Sequence, residues 1–117
     1  MLALPPSVKI FLASGVTDLR KSFDGLSGLT RQVLEQDPAS GHVFVFCNRR
    51  KDRLKVLYFD GSGLWVFAKR LEKGTFAWPR MRDATRVELS FSELTLLLGG
   101  LDLSRTKTRR WYARKSA

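Results

Sequence analysis

The chain has 117 residues and a mass of 13.3 kDa, the size of one domain with one ordinary core. Its 44% apolar and 27% charged residues exclude a disordered polymer. Against 11 Asp and Glu stand 21 Lys and Arg, a net charge of +10, while the single His42 and single Cys47 exclude an internal disulfide and cannot alone build a zinc centre.

The chemistry that remains is charge, shape and partnership. There is no G-x-x-x-x-G-K-[ST] phosphate loop. No apolar run exceeds five residues, and the stretch 94–98 is interrupted by Thr95, all far short of the ~20 residues of a membrane helix. The first residues, MLALPPSVKIFLAS, lack a basic leader and carry two prolines, so no signal peptide is expected. Together with the lone cysteine, this predicts a protein of the reducing cytoplasm.

Residues 8–13 read as a first strand after Pro5 and Pro6. Thr17 or Asp18 is placed to cap a helix. Leu19, Phe23, Leu26, Leu29, Val33 and Leu34 then recur on one helical face as far as Gln36. Gly25 and Gly28 inside that pattern cost about 1 kcal/mol each relative to Ala. They suggest either close approach of another backbone or a helix that begins near Ser22. Residues 42–47 form an apolar strand, and residues 48–52 a polar, basic turn. Leu54, Val56 and Tyr58 alternate at strand period. Asp60-Gly61-Ser62-Gly63 is a hairpin turn leading into a strand over residues 64–71. Glu72-Lys73-Gly74 turns the chain again, residues 75–78 run extended to Pro79, and residues 85–89 alternate as a strand. Ser90 and Glu93 make an S-x-x-E capping box with Leu89 and Leu94 as its staple. The helix that follows ends at Gly99-Gly100.

The expected fold class is α+β: an antiparallel meander of about five strands, one packed N-terminal helix and a short C-terminal helix. Residues 1–104 form one domain. Residues 105–117, RTKTRRWYARKSA, carry six of the basic residues and no acid, and are expected to be a flexible tail. The body then holds 15 basic against 11 acidic residues, so the charge is concentrated at one end.

Three blocks of this sequence, GVTDLRKSFDGL (residues 15–26), SGHVFVFCNRRKDRLKVLYFDGSGLWVFAKRLEKGTFAWP (40–79) and LLLGGLD (96–102), resemble the TnpB accessory proteins of IS-sixty-six-type bacterial insertion sequences. These are distinct from the much longer RNA-guided nucleases that share the name. The resemblance spans most of residues 8–102 and implies a part in transposition beside a larger transposase and a second small element-encoded protein. It implies no assigned biochemical activity.

The residues themselves point to an anionic partner. Arg49, Arg50, Lys51 and Arg53, followed by Lys55, crowd a predicted hairpin tip. Two β-strands fit a DNA major groove, and such crowding is relieved by phosphate. The alternative is a solvated turn. Arg20 and Lys21 fall where the helix dipole disfavours cations, which invites a phosphate there; the alternative is pairing with Asp24. Lys69 and Arg70, with Lys73, form another cluster that Glu72 can neutralise. In the tail, Arg105, Lys107, Arg109, Arg110, Arg114 and Lys115 flank Trp111 and Tyr112, a pattern suited to a nucleic-acid arm or a docking peptide. Tyr58, Phe59, Trp65, Phe67, Phe76 and Trp78 crowd the meander, as core or as a base-stacking face.

Catalysis is not expected. Tyr112 among arginines lies on a terminal segment rather than a rigid scaffold. Asp18 and Asp24 are off the same-face spacing for metal ligation. The expected function is thus a non-catalytic DNA-binding accessory protein with no cofactor and no metal. Its partners are DNA, at the element ends or target, and the cognate transposase with the other element-encoded protein. No membrane partner is expected. A transposase-docking adaptor and an RNA-binding module are the alternatives.

Overall fold

A computed structural model describes residues 5–79 and 84–99. Five strands and two helices follow in the order β1 (Ile10–Ala13), α1 (Phe23–Gln32), β2 (Val43–Cys47), β3 (Arg53–Phe59), β4 (Leu64–Arg70), β5 (Arg86–Leu89) and α2 (Phe91–Leu98). The fold is α+β, with one five-stranded sheet in the order β4-β3-β2-β1-β5.

Three strands, β2, β3 and β4, form the expected antiparallel meander. The first strand departs from it. β1 runs parallel to β2, with Ile10 opposite Val43, and takes β5 antiparallel on its other side. The reason lies in the connection: α1 carries the chain back across the sheet, and a crossover of that kind returns the next strand parallel to the first. β2, VFVFC, is consequently central and buried on both faces, which suits an unbroken apolar run.

Alternation along the strands divides the core in two. Phe11, Ala13, Phe44, Phe46 and Leu57 face Leu26 and Leu34 of the α1 region. Ile10, Leu12, Val43, Val45, Cys47, Leu54, Val56, Val87 and Leu89 face the other way, onto Leu94 and Leu97 of α2 and onto Phe76 and Trp78. Full burial of each such aliphatic or aromatic side chain contributes roughly 1.5–3 kcal/mol. The stretch over residues 75–78 is extended but forms no strand. It crosses the second face instead, held by Phe76 N–H to the Lys51 carbonyl and by the Trp78 indole N–H to the Ala13 carbonyl at 2.8 Å.

The start of α1 also differs from the helical pattern. Thr17 is buried, and its N–H donates to the Cys47 carbonyl, 2.8 Å away, so it continues the β1–β2 pairing. Asp18 bends back to accept from the backbone N–H and the guanidinium of Arg20. A side chain closed on the residue two positions along makes a turn and competes with helix. The helix therefore begins after Ser22, and Arg20 and Lys21 precede its first turn. Gly25 belongs to the same junction. A Cβ there would lie 2.8 Å from Lys21 Cβ, so the close approach is by a side chain and not by a second backbone. α2 has the expected capping box in full: Ser90 Oγ accepts from Glu93 N–H, and the Glu93 carboxylate accepts from Ser90 N–H.

Candidate nucleic-acid interface

The β1–α1 loop and the β2–β3 hairpin meet at one end of the sheet, because β1 and β2 are parallel neighbours and end together. Between them and the end of β4 lies an open groove of about 700 Å³. Asp18, Leu19 and Arg20 come from the loop, Asn48, Arg53, Leu54 and Lys55 from the hairpin, and Ala68, Lys69, Arg70 and Glu72 from the far strand and turn. Five cations face two carboxylates there, so the groove keeps a positive excess after every local pairing.

Each charged group has a defined setting. Arg20 grips Asp18 in a two-pronged pair, Nη2 to Oδ2 at 2.7 Å and Nε to Oδ1 at 3.0 Å. The guanidinium hydrogen bond holds the Asp18 carboxyl down at about 2 and raises Arg20 further. The Asp18–Arg20 pair is exposed, and exposed pairs add little to stability, so breaking it costs little. Arg70 approaches Glu72 at 3.4 Å, a loose exposed pair. Arg53 is exposed at the start of β3. Lys55 Nζ donates to the Lys21 carbonyl at 2.9 Å and so ties the loop to the hairpin. Lys69 Nζ donates to the Leu98 carbonyl at the end of α2, where a cation suits the helix dipole.

The hairpin tip is built by Asn48. Its Oδ1 accepts from the N–H groups of Asp52 and Arg53, its Nδ2 donates to Asp52, and Lys51 N–H donates to its carbonyl. The Asn48 amide also draws the Asp52 carboxyl below its ordinary range. Lys51 sits at φ 60, a left-handed conformation unusual for a side-chain-bearing residue.

Of the predicted contact residues, the fold brings Arg20, Arg53, Lys55, Lys69 and Arg70 to one groove. Arg49, Arg50, Lys51 and Lys21 do not line it; Arg49 and Arg50 are exposed on the tip beside it. The expected pairing of Asp24 with Arg20 or Lys21 is replaced by Asp18 with Arg20. The neutralisation offered by Glu72 is real but loose. Arg105, Lys107, Arg109, Arg110, Arg114 and Lys115 lie outside the described residues. Asn48 acts as an organiser that sequence reading did not single out; an Asn at the first position of a charged turn was the available signal. Asp18, read as a helix cap, instead closes a turn on Arg20.

Most of the aromatic cluster is core. Phe76 and Trp78 are buried, while Tyr58, Phe59 and Phe67 are half-buried. Trp65 alone of these is largely exposed. Among the described residues no group of His, Cys, Asp and Glu is placed to hold a metal ion, and no helix is long and apolar enough to cross a membrane.

The sequence matches the family described as IS66 Orf2 like protein over residues 8–108. It is 37% identical over 102 residues to uncharacterized protein y4hO of Sinorhizobium fredii (strain NBRC 101917 / NGR234), covering 87% of this chain and 88% of that protein. To y4jC of the same organism, also named an uncharacterized protein, it is 37% identical over 109 residues, covering 93% and 92%. No solved structure matches it. A match that takes in the loop, the hairpin, every strand and both helices places this chain in the IS66 Orf2-like family of insertion-sequence proteins.

Proposed function

We propose that this protein is a non-catalytic accessory factor of insertion-sequence transposition that binds DNA through its phosphates. The observation that carries the reading is the convergence of Arg20, Arg53 and Arg70 from three separate segments on one open groove. Guanidinium groups offer paired donors that fit phosphate oxygens, and the rigid sheet holds two of the three in place. Arg49, Arg50 and Lys51 extend the positive surface past the groove, Lys21 follows Arg20 in the loop that lines it, and the basic tail at 105–117 supplies a further arm. Phosphate contacts of this kind give affinity and position without base selection. Sequence preference, where it exists, then comes from the shape of the element ends or from the transposase. The experiment is a gel shift with element-end duplex, random duplex and single strands at several salt concentrations. Binding that weakens steeply with salt supports the reading, and salt-insensitive or absent binding refutes it.

A second reading is an adaptor that docks on the transposase. Its support is the exposed Val16 and Val33 beside an apolar hollow of about 350 Å³ lined also by Leu29, Leu34 and Phe46. Co-purification with the cognate transposase, abolished by Val16→Asp with Val33→Asp, tests it.

A further inference from the structure

Strand β4 is an outer strand of the sheet, with β3 on one side and no described strand on the other. Natural edge strands are blunted by charge, proline or a bulge. Over residues 64–68 β4 reads Leu-Trp-Val-Phe-Ala, with none of these, and its register against β3 is unbroken from Phe59↔Leu64 to Arg53↔Arg70. Trp65 is 44% exposed and stacks on Phe67, ring centroids 5.7 Å apart.

Ladder parity decides which backbone groups face outward. At one end of the hairpin Asp60 N–H donates to the Gly63 carbonyl, and at the other Leu71 N–H donates to the Asp52 carbonyl. Bonded and non-bonded pairs alternate along an antiparallel ladder. From both anchors the alternation gives the same answer: Trp65, Phe67 and Lys69 bond to β3. Leu64, Val66, Ala68 and Arg70 then turn their N–H and C=O groups away from the sheet.

We propose that β4 pairs antiparallel with the β4 strand of a second copy of this chain, about a two-fold axis at Phe67, joining two sheets into one. In this register the outward groups of Leu64 meet those of the partner subunit's Arg70, and those of Val66 meet those of the partner subunit's Ala68. All the outward groups of the strand are thereby satisfied. Trp65 lies opposite the partner subunit's Lys69, placing a cation beside an indole whose Nε1 already donates to the Asp60 carboxylate at 2.8 Å. A lysine has three donors, so Lys69 serves both this contact and the Leu98 carbonyl. The Asp60 carboxylate, across the turn from β4, is held at Trp65 by that indole bond, so the same register brings it towards the partner subunit's Lys69. Sliding the partner by two residues one way sets Trp65 opposite the partner subunit's Phe67 instead of a cation and leaves Arg70 beyond the partner's strand. Sliding it the other way leaves Leu64 beyond the partner's strand.

The paired strands do not depend on the proposed DNA contact, but the dimer would shape it. A two-fold axis normal to the joined sheet puts the α1 faces of both copies on one side. The two Arg70 positions, six residues apart along the ladder, are then about 20 Å apart.

The test is made on the full chain. Sedimentation across concentration should show a monomer–dimer equilibrium. Hydrogen exchange should show the Leu64, Val66, Ala68 and Arg70 amides becoming protected as the dimer forms. Phe67→Lys and Phe67→Glu, each placing like charges face to face at the axis, should be monomeric alone and dimerise when mixed. Ala68→Pro removes an outward donor while leaving the bonds to β3, and should also abolish the dimer. Phe91→Ser, at an exposed position of α2, should leave it intact. The proposal is overturned by a wild type that stays monomeric at every concentration, or by a dimer in which those four amides exchange freely. It is equally overturned by a dimer that survives Ala68→Pro and both Phe67 changes, by Phe67 variants that do not pair when mixed, or by loss of the dimer in Phe91→Ser. Protection of the four amides in a monomer also overturns it, since the edge would then be covered by the chain's own residues.

Discussion

Asp60 shows how much one residue can organise. Its Oδ1 accepts from the backbone N–H groups of Ser62 and Gly63 and from the Ser62 hydroxyl, and its Oδ2 accepts from the Trp65 indole. These bonds, the Trp65 one foremost, hold the carboxyl far below the ordinary 3.8. A carboxyl depressed in the folded state stabilises the fold above its unfolded value and ceases to do so as pH falls through the folded value. Acid below about pH 4 should therefore loosen the β3–β4 turn, and Asp60→Asn should flatten that acid branch of stability. Tryptophan fluorescence against pH checks it; identical acid branches would contradict the assignment. Cys47 is the opposite case. Burial pushes its thiol up to about 11, so it should react slowly with a thiol reagent at neutral pH and fast only after denaturation. Lys51 occupies a left-handed position that costs a side-chain-bearing residue about 1 kcal/mol. Lys51→Gly should leave stability unchanged or raise it by up to about 1 kcal/mol, measured by denaturant midpoint, while removing a tip cation.

At the scale of elements, α2 and α1 respond differently to sequence. The Ser90–Glu93 box was legible because both bonds join atoms three residues apart. Ser90→Ala should cost about 0.5–2 kcal/mol, read from the denaturation midpoint, and an unchanged midpoint would mean the box contributes nothing. The start of α1 was legible only as an alternative, from Gly25 and Gly28, which pointed to a helix beginning near Ser22. Apolar spacing runs back to Leu19, but Asp18 spends its carboxylate on Arg20 and Thr17 spends its N–H on Cys47. Only the second of those partners is distant, yet together they postpone the helix to Ser22. The meander β2–β3–β4 could be read from alternation and the Asp60-Gly61 turn. The parallel seating of β1 on β2 could not, because a strand's neighbour is chosen by long-range packing. Residues 75–78 read as extended and are extended; what sequence could not say is that they seal a sheet face rather than join the sheet. Trp78→Ala should cost about 3–5 kcal/mol, through loss of a buried ring and of its bond to Ala13.

For the whole molecule, the charged clusters were visible in the sequence as separate runs at 20–21, 49–55 and 69–70. Their gathering was not, since it depends on the parallel pair β1–β2 bringing the first loop beside the hairpin. The gathering also sorted them: Arg20, Arg53 and Arg70 share the groove, while Arg49 and Arg50 stand outside it on the tip. The proposed role follows from that arrangement, and it carries no chemistry of its own. Purified protein should not nick supercoiled plasmid with added divalent metal; nicking that is lost on mutation of its own carboxylates would show otherwise.

The most direct measurement is DNA affinity against salt for the wild type and for Arg20→Gln, Arg53→Gln and Arg70→Gln combined. Each duplex phosphate that the protein no longer neutralises lowers the slope of log affinity against log salt by about 0.9. The groove variant should therefore drop by up to ~3 in slope, with circular dichroism unchanged. Deletion of residues 105–117 should remove a further part of at most ~5, additively. A groove variant that binds with the wild-type slope would contradict the proposed role, because the groove would then hold no phosphate.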